Sequence, residues 1–200
     1  VDEAQDFRSH WWIALEAGLK DIRLSRIHAY YDTNQSIYGD LSGELAGFQM
    51  APIALTRNLR NTRAIHAAAS RFYAGLPVTA DGPEGGEIRW IESAAAVGAA
   101  IEEARRLLVH ERIAPEDLAV LTVTPSALRE IESALPQTRA GVAVSTIADF
   151  KGLERRAVVI AAEPALADDR ALAYVGLSRG RTHLSVAGSA DLLRWLRALD

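Results

Sequence analysis

The feature that most constrains this 200-residue chain is the regular exchange of short strand-type runs for segments with apolar residues at helical spacing. That alternation favours an α/β fold, a largely parallel sheet whose strands are joined by crossover helices. Val1 ends a buried strand, Arg8 to Leu19 is a helix with Trp11, Trp12, Leu15 and Leu19 at helical spacing, and Arg26 to Tyr31 is a strand. Pro52 to Thr56 reads as a further strand and Thr62 to Ala74 as a helix. Gly75 to Gly86, with four glycines and two prolines, reads as a loop. Strand Glu87 to Ile91, helix Ser93 to His110, strand Leu118 to Val123, helix Pro125 to Ala134 and strands Val142 to Thr146 and Ala157 to Ala161 follow. A helix at Leu172 to Ser178, a strand at Leu184 to Ala187 and a helix capped by Ser189 finish the chain. The expected domain boundary lies between Gly47 and Pro52.

Composition narrows the partners. With 49% hydrophobic residues the chain can bury a sizeable core. A net charge of −4 gives no overall attraction to nucleic acid, so any such contact must come from a local basic stretch. The absence of cysteine excludes disulfides and thiolate metal sites and is compatible with a reducing cytoplasm, the expected location. Apolar runs such as Ala157 to Ala162 are far too short to span a bilayer, so no membrane partner is expected. No signal peptide is visible. The chain begins Val-Asp-Glu rather than with Met, as expected of a cut made inside a domain.

Five segments combine residue types that carry chemistry. Asp2-Glu3-Ala4-Gln5-Asp6 follows an expected strand end, where parallel sheets place ligands. One carboxylate there can hold Mg²⁺ through water, and a second can orient or deprotonate an attacking water. An acidic helix N-terminus is the ordinary alternative. Asp32-Thr33-Asn34-Gln35-Ser36-Ile37-Tyr38 also follows a strand; a glutamine there can bond a terminal phosphate, while Asp and Asn are equally ordinary turn residues. No acidic residue occurs from Leu45 to Ala80, although Arg57, Arg60, Arg63 and Arg71 fall inside. A solvated helix face would mix both signs, so these guanidinium groups are expected to serve phosphate. Thr146-Ile147-Ala148-Asp149-Phe150-Lys151-Gly152-Leu153-Glu154 retains one of only two lysines, Lys20 and Lys151, in a chain that otherwise uses arginine. Tyr174 to Arg181 ends an apolar helix with Arg179 and Arg181, which either complement the helix dipole or reach a nucleotide.

In this order the five segments resemble the later motifs of UvrD/Rep-like superfamily-1 DNA helicases: DEAQD, D-x-x-Q-x-I-Y, N-Y-R-S, T-x-H-x-x-K-G-L-E and Y-V-A-x-T-R-A-R. The resemblance touches the chain from Asp2 to Arg181. It implies two RecA-like domains that bind ATP and Mg²⁺ between them and carry single-stranded or partly duplex DNA. Residues 1–50 would be the end of the first domain and 51–200 the second. It further implies that Asp2 binds Mg²⁺, Glu3 activates water, Gln35 senses the γ-phosphate, and Arg60 and Arg179 reach that phosphate. Glu154 would hold the ribose, with Gln5 and Gly152 also on the nucleotide side, and Thr146 and Lys151 would meet the DNA backbone.

Departures from the family pattern are specific. Leu59 stands for an aromatic residue and Ala148 for a histidine, while Gly176, Ser178 and Gly180 stand for Ala, Thr and Ala. The Trp-Arg-Gly-Ala stretch expected after Tyr38 is missing, and so are large insertions. That compactness resembles relatives fused to nuclease-related domains. No Gly-x-x-x-x-Gly-Lys-Ser/Thr loop occurs, because neither lysine has the required neighbours; the phosphate cradle is expected upstream. Two functions are therefore expected of such a chain: part of an ATP-dependent translocase, or a non-catalytic nucleic-acid-binding or regulatory module derived from one.

Overall fold

The computed structural model describes residues 1–19, 21, 25–32, 53–135 and 141–197. The chain divides into two compact units, Val1–Ala54 and Leu55–Asp200.

In the first unit, a 3-10 turn at Ala4–Asp6 leads into helix α1, Ser9–Ala17. Trp12 and Ala4 form a small buried core with Val1, Phe7, Leu15, Ile27 and Ala29 packed around them. The expected strand Arg26 to Tyr31 is not regular along its length, but its middle pairs with the chain start. The Val1 amino group donates to His28 O at 2.7 Å and Tyr30 N to Val1 O at 2.8 Å, the pattern of one parallel bridge.

The second unit is a three-layer α/β/α structure around a parallel five-stranded sheet in the order β3-β7-β6-β4-β5. These strands are β3 Arg89–Glu92, β4 Leu118–Thr122, β5 Ala143–Thr146, β6 Arg155–Ala161 and β7 Gly180–Gly188. Helices α3 (Ala96–Val109) and α4 (Pro125–Ala134) cover one face, with α2 (Arg63–Ser70), α5 (Arg170–Ser178) and α6 (Ala190–Arg197) elsewhere around the sheet. Leu118, Val120, Ala157, Val159 and Ala161 alternate along β4 and β6 to meet Ala104, Leu107, Ile131 and Leu135 of α3 and α4. Each such aliphatic side chain contributes roughly 1.5–3 kcal/mol on burial. Both central strands are buried on both faces, as the hydrophobic runs predict.

Caps explain where the helices begin. Thr124 Oγ1 accepts from Ala127 N, and Pro125 occupies the first turn, so α4 spans its expected range. Asp169 accepts from Leu172 N at 2.8 Å and starts α5 two residues earlier than its apolar pattern suggests. Ser189 Oγ accepts from Leu192 N at 3.4 Å, the expected cap of α6.

Two differences concern strands. β1 lies at Arg57–Asn58, just after the expected Pro52 to Thr56, and pairs in parallel with β2, Thr79–Ala80, inside the expected loop. β7 begins at Gly180, four residues early, because Arg155 and Gly180 already pair while Arg181 and His183 point to solvent. At the carboxyl edge, Glu163 after β6 accepts bonds from Thr122 Oγ1, Val123 N, Thr124 N and Thr124 Oγ1 at 2.6–2.9 Å. Burial pushes its carboxyl up, yet these bonds prevail and hold it below its ordinary value.

Candidate functional site

Within the first unit, the acidic turn is organised by Gln5. Glu3 occupies the left-handed region (φ 49°, ψ 43°), a conformation that costs a non-glycine residue about 1 kcal/mol or more. Strain of this kind gathers at functional positions. Gln5 is buried; its amide nitrogen donates to Glu3 Oε2 at 2.5 Å and its oxygen accepts from Asp32 N at 3.1 Å. One side chain thus aims the Glu3 carboxylate and ties it to the Asp32 segment. Asp2 is exposed, with Oδ1 accepting from Glu3 N at 3.0 Å. An exposed carboxylate of this kind fits Mg²⁺ held through one protein carboxylate, water and phosphates. Among the described residues no group of three or more His, Asp or Glu forms a cage that would hold a metal alone. Gln35 lies outside the described residues.

Within the second unit, the expected nucleotide residues gather at the amino edge of β6 and β7. Glu154 immediately precedes β6 and pairs with Arg60 at 2.9 Å and Arg181 at 3.7 Å. Arg179 ends α5 just before β7, and Arg155 N donates to its carbonyl. Its side chain does not project outward. It is 1% exposed, with Nε donating to Val175 O at 3.0 Å, Nη1 to Leu153 O at 3.3 Å and Nη2 to Ser178 Oγ at 2.9 Å. Arg60 is half-exposed beside exposed Leu59 and Leu153.

The Thr146 to Glu154 segment crosses from one edge of the sheet to the other. Thr146 ends β5 at the carboxyl edge, level with Thr122 of β4. Its buried hydroxyl donates to Asp149 Oδ2 at 2.7 Å and accepts from Asp149 N at 3.1 Å, so it first serves the turn. Ile147 and Phe150 bury beneath this turn. Gly152 takes φ 78°, which gives the lysine–glycine pair a backbone reason independent of any ligand. Lys151 is half-buried in the same turn.

In the fold the acid-free stretch is not an unopposed basic patch. Arg57 pairs with Asp81, Arg63 with Glu84 and Arg60 with Glu154, while Arg71 donates to the last carbonyls of α6 at Leu196 and Arg197. Folding supplies from elsewhere the negative groups that the local sequence lacks. Two further residues of the site, Asn58 and Asn61, flank Arg60 at the Asn and Ser positions of the N-Y-R-S pattern, which alone gives neither of them a role. Asn58 Oδ1 accepts from Arg60 N and Asn61 N, and Asn61 is buried.

Residues 141–187 match the family model of the UvrD-like helicase C-terminal domain. The match takes in Thr146, Lys151, Gly152, Glu154 and Arg179. Among solved structures, the chain is similar to the C-terminal domain of a possible DNA helicase from Lactobacillus plantarum WCFS1. The two share 19% identity at a TM-score of 0.47, over 68% of this chain and 92% of that one. No curated protein matches the chain.

Proposed function

We propose that this chain is part of an ATP-dependent DNA helicase or translocase, with residues 1–50 from the end of a first RecA-like domain and 51–200 the second. The observation that carries this is the gathering of Arg60, Glu154, Arg179 and Arg181, distant in sequence, at one edge of a parallel sheet. Two arginines on one carboxylate, with Arg179 two residues from Arg181 in the chain, suit a polyphosphate with a ribose attached. Likeness to a helicase domain over residues 141–187 supports the same reading.

In this mechanism Asp2 would hold Mg²⁺, which neutralises charge on the β- and γ-phosphates when bound. Glu3, aimed by Gln5, orients the attacking water and takes up its proton. Gln35 reports the γ-phosphate. Arg60 leaves Glu154 for the phosphate as charge grows there, freeing the carboxylate for the ribose hydroxyls. Arg179 reaches the same charge by turning out of its buried bonds. Thr146, at the opposite edge, and Lys151, in the turn that follows it, would meet the DNA backbone. A nuclease-related domain would be a natural fused partner.

Glu3→Gln in the full-length protein is expected to lower DNA-stimulated ATP turnover about 100-fold while leaving nucleotide binding intact. Wild-type turnover in this variant would defeat the enzymatic assignment and favour a non-catalytic module. The DNA assignment has its own test. Thr146→Ala with Lys151→Ala is expected to weaken single-stranded DNA binding several-fold, regardless of base sequence, and to flatten its salt dependence by about one unit of slope. Unchanged anisotropy curves across a salt series would remove this turn from the DNA path.

A further inference from the structure

Resting on the ATPase reading above, we infer that Asn61 is a positioning residue that makes Arg60 and Arg179 a single mechanical unit. The two arginines belong to different segments, yet their backbones are joined through two linked amides, Asn61 on the Arg179 side and Asn58 on the Arg60 side. Asn61 Nδ2 donates to Ser178 O at 2.9 Å and Gly180 O at 2.7 Å, the carbonyls on either side of Arg179. Asn61 Oδ1 accepts from Asn58 Nδ2 at 2.9 Å. Asn58 Oδ1 in turn accepts the backbone N–H of Arg60 at 2.9 Å and of Asn61 at 3.1 Å. Asn61 is 3% exposed, so its two bonds to the Ser178 and Gly180 carbonyls are made away from water.

Neighbouring elements keep the network in one arrangement. His66 Nδ1 lies 3.0 Å from Asn58 Nδ2 and Nε2 lies 3.1 Å from Val78 O. Since Nδ1 faces a donor it accepts, which places the ring proton on Nε2 and ties Asn58 to the β2 segment. A Cβ at Gly82 would fall 1.9 Å from Asn61 O, so the Gly82 loop packs directly on the Asn61 backbone. Thr62 N also donates to Arg181 O at 3.0 Å, fastening the next residue to β7. Only a side chain with two N–H donors and an acceptor at this length satisfies the site. Aspartate lacks both donors, and alanine strands two buried carbonyls.

The consequence is that Arg60 and Arg179 adjust together when phosphate arrives. In the full-length protein, Asn61→Ala and Asn61→Asp are expected to lower kcat for DNA-stimulated ATP hydrolysis about tenfold or more, with KM for ATP moving less than about threefold. In an Arg60→Ala/Arg179→Ala background, Asn61→Ala is expected to add less than about twofold, because there is no arginine left to position. Arg194→Ala, on the exposed face of α6, serves as the unaffected control. Equal fold-losses in both backgrounds would make Asn61 a general fold element, and unchanged kcat in folded Asn61 variants would also overturn the inference. Should the Asn61 variants fail to fold, Asn58→Ala decides. Its loss of kcat should shrink in both the Arg60→Ala and the Arg179→Ala backgrounds; a loss that persists in full in either one overturns the coupling. Wild-type kcat in the two arginine variants themselves would instead sink the ATPase reading, and this inference with it.

Discussion

Arg60→Ala in the full-length protein is expected to lower kcat for DNA-dependent ATP hydrolysis about 1,000-fold while KM for ATP changes little. That factor corresponds to about 4 kcal/mol of transition-state stabilisation. Such a loss cannot be ascribed to damaged folding, because the Arg60 side chain is 52% exposed and its ion pair is with a Glu154 side chain that is 37% exposed. Removing a surface pair of this kind costs at most about 1 kcal/mol of stability. The same substitution at Arg179 is less clean, since its guanidinium satisfies Val175 O, Leu153 O and Ser178 Oγ inside the fold. Arg179→Ala should therefore lose stability as well as rate, and only Arg60 separates the two. Steady-state kinetics with a parallel melting curve checks this: wild-type kcat in a folded Arg60→Ala protein would exclude the pocket assignment.

Much of the fold was legible because its signals are local. β4, β6 and α4 stand where their apolar runs and caps put them, since a strand buried on both faces is largely apolar and Thr124-Pro125 favours a helix start. The misjudged elements are those whose pairing, not composition, makes them strands. The polar start of β7 is a strand because β6 lies beside it, and β1 and β2 exist only through each other. The same distinction explains the arginines. Their acid-free neighbourhood is real in sequence, but Asp81, Glu84 and Glu154 reach it through the fold, and no local window contains that fact.

The candidate site was legible to the extent that its residues stand in motif order. Glu154, Arg60 and Arg179 could be named from motif order, and they do share one edge of the sheet. What motif order could not give is support. Gln5 aiming Glu3, Asn61 spanning the carbonyls around Arg179, and Thr146 bonded to Asp149 are all relations between a side chain and a distant or turned backbone. Such residues look like ordinary polar turn formers until the backbone path is known.

Glu103→Ala is expected to destabilise the protein by about 3 kcal/mol. Glu103 lies on α3 facing the sheet with its side chain 2% exposed. Its oxygens accept from Arg106 Nε and Nη2 at 2.7 and 2.9 Å and from Ser185 Oγ at 2.9 Å, and Arg89 Nε stands 3.2 Å away. Alanine leaves the buried Ser185 hydroxyl without its acceptor, although Arg106 and Arg89 can turn to water, which keeps the loss near the lower end for a broken buried pair. A chain of this size should melt roughly 10 °C lower. The loss is tied to pH. Burial pushes the Glu103 carboxyl up, but the bonds from Arg106 and Ser185 and the charges of Arg106 and Arg89 outweigh it and hold it below 4.5. Folding therefore favours the ionised form, and its contribution is present above the ordinary value and disappears as pH falls through the lowered one. The melting difference between wild type and Glu103→Gln should stay constant from neutral pH down to about 5 and narrow below about 4. A difference that is absent at neutral pH, or that does not narrow in acid, would show that this carboxylate is not held by its arginines.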